Sequence, residues 1–370
     1  MIYLDHGATS FPKPEAVARA AANALAQCAN PGRGGHEAAE AAARVVFSCR
    51  EQAAAMFDCQ PEQVVFTGNC TQGLNMAIHT LVRPGGRVVI SGFEHNAVTR
   101  PLYQRRAKIR VAGRRLFDWE DTLREFRRAL SHGADAAVFT HASNVFGYVL
   151  PVEQMAQMCR RRGIPFIIDA AQSAGTHAIS LKELGADFIA MPGHKGLLGP
   201  TGTGLLLCNR LPRPLICGGT GSDSVLQAMP EYLPDRGEAG TVNVPGIAGL
   251  EAGLRTVRQL TPEKIGRRER KLAAAAGDML ERLGLEVFRG PHQSGTVSFR
   301  GKMDCEEAAQ ALAQEGIAVR AGLHCAPLAH ESAGTLGTGT VRLSFGYDSD
   351  ETQLSELKRA VMTSFSLVDP

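Results

Sequence analysis

The stretch Phe188-Ile189-Ala190-Met191-Pro192-Gly193-His194-Lys195-Gly196 joins a short apolar run to a lysine that is flanked by glycines. An apolar run of this length, bounded by Pro and Gly, predicts a buried β-strand over 188–190. Similar runs recur from about residue 60 to 210, and amphipathic segments separate them. The other candidate strands are 64–67, 87–91, 136–140, 166–169 and 204–207, and the candidate helices are 69–82, 118–132, 152–162 and 180–185. This alternation predicts an α/β fold with a mainly parallel sheet that is covered on both faces.

The pattern changes after about residue 250, where strands and helices no longer alternate regularly. The expected elements are one long helix over roughly 247–285, strands at 285–288, 295–299, 317–320 and 340–345, and helices at 304–315 and 350–365. We therefore predict a large domain at 13–250 and a smaller α+β domain at 251–370, with residues 1–12 packed near the active site. Two such domains are expected to enclose a cleft that binds a ligand.

The composition is that of an ordinary soluble protein, with 370 residues, 44% hydrophobic and 21% charged residues, and a net charge of +3. The basic clusters lie in helix-like stretches, so a nucleic-acid partner is not expected. No apolar run is long enough to predict a membrane span, and the first residues lack the build of a signal peptide. We therefore expect a cytoplasmic protein. The nine cysteines form no Cys-x-x-Cys pair, so neither a zinc site nor a disulfide framework is indicated.

Two ionisable residues end neighbouring strand candidates, at the sheet edge where ligands bind in doubly wound folds. Asp169 is either the N-cap of a helix or the partner of a protonated ring nitrogen, as in pyridoxal phosphate enzymes. Lys195 is either a solvated surface lysine or, if its pKa is lowered, a lysine that forms a Schiff base. No dinucleotide or P-loop fingerprint competes with this interpretation. Together the two residues favour the cofactor role.

Two further segments follow strand candidates. Asn69-Cys70-Thr71-Gln72-Gly73 opens a helix, and a helix N-terminus binds phosphate through its free N–H groups. Simple N-capping is the alternative for this segment. His95 follows the strand candidate 87–91, where it would stack on an aromatic ring, shuttle protons or serve only as a structural histidine.

The segment Arg320-Ala321-Gly322-Leu323-His324-Cys325-Ala326-Pro327 places a cysteine in a predicted exposed turn. The cationic neighbours Arg320 and His324 favour the nucleophilic thiolate, which singles out Cys325 among the nine cysteines. Arg342 interrupts an apolar strand candidate. It would either pair with a protein carboxylate or hold a substrate carboxylate with two hydrogen bonds.

Together these segments resemble the class V aminotransferase-fold enzymes, specifically cysteine desulfurases and selenocysteine lyases, from Tyr3-Leu4-Asp5 to the last helix. The resemblance implies a pyridoxal-phosphate-dependent transferase of fold type I with a seven-stranded sheet in the large domain. It makes Lys195, next to His194, the lysine that holds the cofactor, and Asp169 the partner of its ring nitrogen. The other residues implied to bind the cofactor are Gln172 at its phenolic oxygen, His95 on its ring, Thr71 and Cys70 near its phosphate, His194, and Asn144 in His141-Ala142-Ser143-Asn144.

Further parts of the resemblance concern the substrate and the assembly. Gly240-Thr241-Val242-Asn243 resembles a segment whose threonine reaches the cofactor phosphate of the partner subunit, which implies a homodimer with active sites at the subunit interface. The run from Arg320 to Cys325 resembles the group II desulfurase pattern, and a less characterised desulfurase subgroup has a similar segment. The residues implied to bind substrate are Asn144, Arg342, Arg320, Ala8 and Thr9, and those implied to be catalytic are Lys195, Cys325 and His95.

The implied function is conversion of L-cysteine to L-alanine, with a persulfide formed on Cys325 and passed to a sulfur-acceptor protein or thiol. The alternatives are a lyase for selenocysteine or another sulfur amino acid, and a non-catalytic sulfur-relay protein. Three positions depart from the family pattern. Pro192 replaces a hydroxyl residue that binds phosphate, His6 replaces an asparagine and would add a titrating group near the substrate, and Cys70 replaces a common threonine.

Overall fold

A computed structural model describes residues 1–32 and 34–366. The strands, in chain order, are β1 (Ile2–Tyr3), β2 (Val64–Thr67), β3 (Arg87–Ser91), β4 (Lys108–Ala112), β5 (Ala136–Thr140), β6 (Phe166–Asp169), β7 (Phe188–Pro192), β8 (Gly204–Cys208), β9 (Glu286–Phe288), β10 (Thr296–Arg300), β11 (Ile317–Ala318), β12 (Arg320–Gly322) and β13 (Thr340–Ser344). The α-helices are α1 (Glu15–Gln27), α2 (Glu37–Phe57), α3 (Cys70–Leu81), α4 (Asn96–Gln104), α5 (Trp119–Ser131), α6 (Val152–Arg160), α7 (Leu181–Leu184), α8 (Val244–Leu260), α9 (Pro262–Arg282), α10 (Cys305–Gln314), α11 (Pro327–Ala333) and α12 (Thr352–Ser364).

The main sheet has seven strands in the order β2-β8-β7-β6-β5-β3-β4. Strands β3 to β7 pair in parallel, whereas β8 pairs antiparallel with both β7 and β2. The predicted mainly parallel seven-stranded sheet is therefore confirmed. The pattern of the sequence did not reveal β4. Lys108 and Arg110 are exposed on this edge strand and Ile109 is 39% exposed, so no apolar run marks it.

Alternate residues of the central strands enter different cores, because successive side chains of a strand point to opposite faces. Phe166 and Ile168 of β6 pack into a core with α5, α6 and α8, whereas Ile167 packs into a core with α3 and α4. Helices therefore cover both faces, as predicted. The sheet brings the carboxyl ends of β5, β6 and β7 to one edge, where the candidate site lies.

The C-terminal elements form a second sheet, β12-β13-β10-β9, that is antiparallel throughout. Its core includes Leu4 from the N-terminal segment together with side chains of α9, α10 and α12. Strand β1 pairs in parallel with β11, which ties the first residues of the chain to this part of the molecule. The domain limits at 13–250 and 251–370 stay predictions.

The single helix expected over 247–285 is wrong, because the structure has α8 and α9 in its place. Thr261 separates them with a φ of 64°, which no α-helix accommodates. Pro262 follows, and a proline disfavours the helical conformation at the residue before it. Four helices, α1, α2, α4 and α11, were not predicted. No helix in the part of the chain that the structure describes combines the length and apolarity needed to cross a bilayer.

Candidate active site

A cavity of about 270 Å³ opens where β5, β6 and β7 end and where the N-terminal segment meets β12 and β13. It brings together all the predicted site residues except Thr9 and Thr241. The predicted residues that line it are Ala8, Cys70, Thr71, His95, Asn144, Asp169, Gln172, His194, Lys195, Arg320, Cys325 and Arg342. Residues more than 300 positions apart in the chain thus share one site.

Lys195 lies in the loop that follows β7, and this loop packs directly against the loop that follows β6. A Cβ at Gly175 would lie 2.1 Å from the Gly196 carbonyl oxygen, so only glycine permits this approach. Burial lowers the pKa of Lys195, and the positive charge of Arg342 lowers it further, while Asp169 acts in the opposite direction. A lysine in this setting is more easily deprotonated, which nucleophilic and basic roles require.

Asp169, at the end of β6, is only 2% exposed. Its Oδ1 accepts a hydrogen bond from the Ala171 N–H at 2.9 Å and one from the Cys70 thiol at 3.6 Å. Burial raises the pKa of Asp169, although the Ala171 hydrogen bond and the charge of Lys195 oppose the rise. No α-helix begins at Asp169, so the N-cap alternative is not what the structure shows. The carboxyl group instead lines the cavity, where a bound cation would stabilise its charge.

His95 is both the N-cap of α4 and a wall of the cavity, so its structural and functional roles coincide. Its Nδ1 accepts a hydrogen bond from the Ala97 N–H at 3.0 Å, which leaves the proton of the neutral ring on Nε2. Burial lowers the pKa of His95 to about 4, and the charges of Lys195, Arg100 and Arg342 contribute. The ring is therefore neutral at neutral pH and able to donate a hydrogen bond through Nε2.

The first turn of α3 forms another wall of the cavity. Asn69 is the N-cap, and its side chain accepts a hydrogen bond from the Gln72 N–H at 2.9 Å, so the capping interpretation is confirmed for that residue. The N–H groups at the start of an α-helix have no partner within the helix, which leaves those of Cys70 and Thr71 available to an anion. Pro192 lines the same cavity and contributes no hydroxyl.

Cys325 and His324 both adopt left-handed backbone conformations, with φ values of 55° and 50°. The Asn96 N–H donates to the Cys325 carbonyl oxygen at 2.8 Å, and the Asn144 amide donates to the His324 carbonyl oxygen at 2.7 Å. These bonds fix a tight turn in which Cys325 is exposed, as predicted. Cys325 also lines an open groove of about 450 Å³ between α3 and α4, so it borders two spaces.

Arg342, on β13, is 2% exposed and pairs with a carboxylate that the sequence analysis missed. Its Nη2 donates to Asp5 Oδ1 at 2.6 Å, and its Nη1 donates to the Asn144 carbonyl oxygen at 2.9 Å. Arg320 Nη1 lies 3.8 Å from Asp5 Oδ2. Arg342 therefore pairs with a protein carboxylate, and because it also lines the cavity its role at a substrate carboxylate stays a prediction. Asp5 comes beside Arg342 because the N-terminal segment runs parallel to β13, where Asp5 bridges to Ser344, and no local pattern in the sequence signals this.

Three other positions lie away from the cavity lining. The Thr9 hydroxyl donates to the His194 carbonyl oxygen at 2.9 Å behind the lining, and its contact with substrate stays a prediction. Thr241 lines a separate cavity of about 210 Å³ with Gly68 and Thr203. His6 borders a smaller chamber, and its Nε2 lies 3.8 Å from Asp348 Oδ1. Burial lowers the pKa of His6 to about 4, so its ring is neutral at neutral pH, and it lies outside the lining of the Lys195 cavity.

The sequence analysis also missed Glu94, which precedes His95 in the chain and is fully buried. Its Oε1 accepts hydrogen bonds from the Ser91 N–H at 3.2 Å and the Thr140 N–H at 2.9 Å. Burial raises its pKa to about 8. Within residues 1–32 and 34–366, no group of three or more His, Cys, Asp or Glu side chains is arranged to hold a metal ion.

The fold and the site together define a class of protein. The family model for aminotransferase class-V matches residues 2–357, and the chain belongs to this family. Within it, the chain is similar to a probable cysteine desulfurase of Pyrococcus abyssi, with 32% identity over 93% of this chain and 89% of that protein. A probable cysteine desulfurase of Methanothermobacter thermautotrophicus is also 32% identical, over 95% of this chain and 92% of that protein.

Solved structures of cysteine desulfurases also resemble this chain. The apo cysteine desulfurase of Thermococcus onnurineus NA1 superposes with a TM-score of 0.88 at 30% identity, covering 98% of this chain and 95% of that one. The cysteine desulfurase CsdA of Escherichia coli has a TM-score of 0.87 at 26% identity, covering 99% and 95%. The predicted family and fold class are confirmed.

Proposed function

We propose that the protein is a pyridoxal-phosphate-dependent cysteine desulfurase that converts L-cysteine to L-alanine and carries the sulfur on Cys325. The residues present fit the cofactor. Asp169 is a buried carboxyl group with a raised pKa, and it would pair with a protonated ring nitrogen. The N–H groups at the start of α3 would bind the phosphate. Lys195, with its lowered pKa, would hold the aldehyde carbon, and His95 and Gln172 would contact the ring.

The chemistry then divides among residues of this chain. Pyridoxal phosphate, when bound, would supply an electron-accepting ring that makes the Cα proton of the substrate easier to remove. Lys195 removes that proton, and Arg342 holds the substrate carboxylate. The neutral ring of His95 would donate a hydrogen bond through Nε2 to the bound substrate. The Cys325 thiolate attacks the substrate sulfur, so a new S–S bond forms as the C–S bond breaks. The electron pair of the C–S bond stays on the substrate Cβ, which takes up the proton that the substrate thiol gives up. Lys195 returns the Cα proton, so alanine leaves and a persulfide anion remains on Cys325.

The position of Cys325 carries the proposal. It borders the Lys195 cavity on one side and the open groove between α3 and α4 on the other. A persulfide on Cys325 would therefore form beside the substrate in the Lys195 cavity. It would then be accessible to an acceptor from the groove between α3 and α4. We infer that the sulfur acceptor, a thiol or a protein that carries one, approaches through this groove. The names of the relatives give no support to the selenocysteine lyase alternative.

We also propose a homodimer in which Thr241 serves the partner subunit. Thr241 is exposed and lies outside the Lys195 cavity of its own chain, as a residue that completes a second copy's site must. Several large apolar side chains nearby in the chain are also exposed, which is typical of a surface that another protein covers. They are Leu215, Ile216, Val225, Leu226 and Tyr232.

The test combines a spectrum with product analysis. The protein loaded with pyridoxal phosphate is expected to be yellow and to form alanine and acid-labile sulfide from L-cysteine in the presence of a thiol. Lys195→Ala should lose both the lysine-dependent absorbance and alanine formation. Cys325→Ser should keep the absorbance and lose desulfurase turnover by about 100-fold or more, the scale of a lost nucleophile. Full turnover in Cys325→Ser would refute the role of Cys325, and a colourless protein that the cofactor cannot reconstitute would refute the enzyme.

A further inference from the structure

One carboxylate at the substrate end of the cavity has no part in the mechanism above. Asp5 contacts two arginines, with Oδ1 2.6 Å from Arg342 Nη2 and Oδ2 3.8 Å from Arg320 Nη1. Both arginines line the cavity, whereas Asp5 does not. Its side chain is 17% exposed, so solvent screens these pairs only in part. Asp5 thus lies within the charge field that any substrate carboxylate meets.

The charges at this end of the cavity add up simply. Arg342 and Arg320 bring two positive charges, and Asp5 brings one negative charge, so one positive charge is uncompensated. Lys195 and Asp169 oppose each other at the cofactor end. A ligand with one carboxylate therefore neutralises the substrate end, and a second acidic group on the ligand meets no matching cation.

The hydrogen bonds of Arg342 agree with a site for a single carboxylate. Its Nη2 is engaged by Asp5 and its Nη1 by the Asn144 carbonyl oxygen. Its Nε is buried and has no hydrogen-bond partner among the residues that the structure describes. A buried guanidinium donor without a partner beside a cavity is explained if the ligand supplies the acceptor. Enough donors remain for one carboxylate.

We infer that Asp5 is a specificity-determining residue, which neutralises one of two arginines and so restricts the site to amino acids with a single carboxylate. This inference rests on the proposed function, because it assumes that the substrate carboxylate binds at Arg342. The substitution Asp5→Asn keeps the size of the side chain and removes its charge. It leaves two uncompensated cations, which favours a dianionic ligand over a monoanionic one.

The test measures binding to the cofactor-loaded protein by calorimetry with two thiols that carry no amino group and cannot be turned over. 3-Mercaptopropionate has one carboxylate and mercaptosuccinate has two. In Asp5→Asn, the affinity for mercaptosuccinate relative to 3-mercaptopropionate should rise about tenfold over wild type, which corresponds to about 1.4 kcal/mol. Asp5→Glu keeps the charge and should leave this ratio within about twofold of wild type, since the arginines stay partly neutralised.

The opposite change provides a second route if Asp5→Asn does not fold. Arg320→Gln removes a half-exposed cation, so it should lower the same affinity ratio by several fold, because a dianion loses more than a monoanion does. A ratio that stays within about twofold of wild type in either folded variant contradicts the inference, as does a wild-type protein that binds neither thiol at millimolar concentration. Because the ligands are not substrates, the ratio can shift in a protein that proves inactive on cysteine. Failure of the proposed function and failure of this inference are therefore distinguishable.

Discussion

At the scale of single residues, burial in the cavity shifts the pKa values of ionisable side chains towards their neutral forms. The pKa of Asp169 is raised and that of Lys195 is lowered, and in each case burial is the largest cause. A site with this arrangement is costly for the free protein and becomes favourable when a bound cation meets the carboxylate. Stability and cofactor binding should therefore respond in opposite directions to a change at Asp169.

The substitution Asp169→Asn tests this opposition, because the amide has the shape of the carboxyl group and cannot ionise. We expect the cofactor-free protein to gain about 1 kcal/mol in unfolding free energy at pH 7, since a neutral amide replaces the buried carboxylate. The gain in unfolding free energy of Asp169→Asn over wild type should shrink as the pH falls. Below the raised pKa of Asp169, protonation of this carboxyl group stabilises the folded wild type. Alanine formation by the loaded protein should fall about 100-fold. Urea unfolding and the alanine assay measure the two effects, and a loss of stability with unchanged activity would contradict this account.

The residues that end strands were predictable, and those that pair across the fold were not. Asp169 and Lys195 each follow an apolar run, so their places at the sheet edge follow from strand alternation. Asp5 and Arg342 are paired only because the N-terminal segment runs beside β13, with Asp5 bridging to Ser344. No spacing in the sequence carries that information. Thr9 was assigned to the substrate by resemblance alone, and its hydroxyl bonds the His194 carbonyl oxygen.

At the scale of elements, the Lys195 loop is held by a backbone contact with the loop after β6. Gly175 has a φ of 89°, and a Cβ there would lie 2.1 Å from the Gly196 carbonyl oxygen. Gly163 also has a positive φ, of 60°, but a Cβ there would meet nothing within 4 Å. Alanine at either position strains the backbone, but only alanine at Gly175 would also displace the Lys195 loop. Comparing the two substitutions therefore separates these effects.

We expect Gly163→Ala to lose about 1 kcal/mol of unfolding free energy, the cost of a left-handed alanine. Gly175→Ala should lose a further 1–3 kcal/mol, roughly the cost of overpacking, and should also weaken cofactor binding because the Lys195 loop must move. Urea unfolding and titration with pyridoxal phosphate measure these effects. Equal losses in the two variants, with unchanged cofactor affinity, would show that the contact between the loops does not position Lys195.

The elements that the sequence did not reveal share physical reasons. The edge strand β4 exposes three of its five residues, so apolar periodicity is weak there. The break between α8 and α9 depends on one residue, Thr261, whose conformation is set by Pro262 within an otherwise continuous helical pattern. The central strands were predicted well because burial on both faces requires uninterrupted apolar residues.

At the scale of the whole molecule, buried histidines make stability sensitive to acid. Burial lowers the pKa of His141 and of His324 to about 3, and that of His177 to about 4. These folded-state values lie below the unfolded value of about 6.5, so the unfolded chain takes up protons that the folded chain does not. The unfolding free energy should therefore fall as the pH drops from about 6.5 towards 4. Glu94, with a pKa of about 8, acts in the opposite sense, because its ionisation lowers the unfolding free energy of the protein as the pH rises.

The substitution His141→Gln isolates one of these groups. It should reduce the proton uptake on unfolding between pH 6.5 and 4 by up to one proton, which is about 1.4 kcal/mol per pH unit. The exposed His132 is the matched control, and His132→Gln should leave the slope unchanged. The slope comes from urea unfolding at a series of pH values. Identical slopes for His141→Gln and wild type would contradict a neutral buried ring at this position.

The proposed assembly is also testable at this scale. If Thr241 completes the partner's site, a mixed dimer of Lys195→Ala and Thr241→Ala chains contains one intact site. That site has Lys195 from the Thr241→Ala chain and Thr241 from the Lys195→Ala chain. Mixing the two variants after subunit exchange should therefore give activity above either variant alone, approaching about a quarter of wild type by random pairing. No gain in confirmed mixed dimers would contradict a role for Thr241 across the interface.

The central claim is that Cys325 receives the sulfur of L-cysteine. Mass spectrometry of the cofactor-loaded protein, treated with L-cysteine without an added thiol and then digested, tests it directly. We predict one additional sulfur atom on the peptide that contains Cys325, and no addition in Lys195→Ala, where the same thiol is present without the lysine. Alanine formed in equal amount to the protein, with no sulfur on Cys325, would contradict the account.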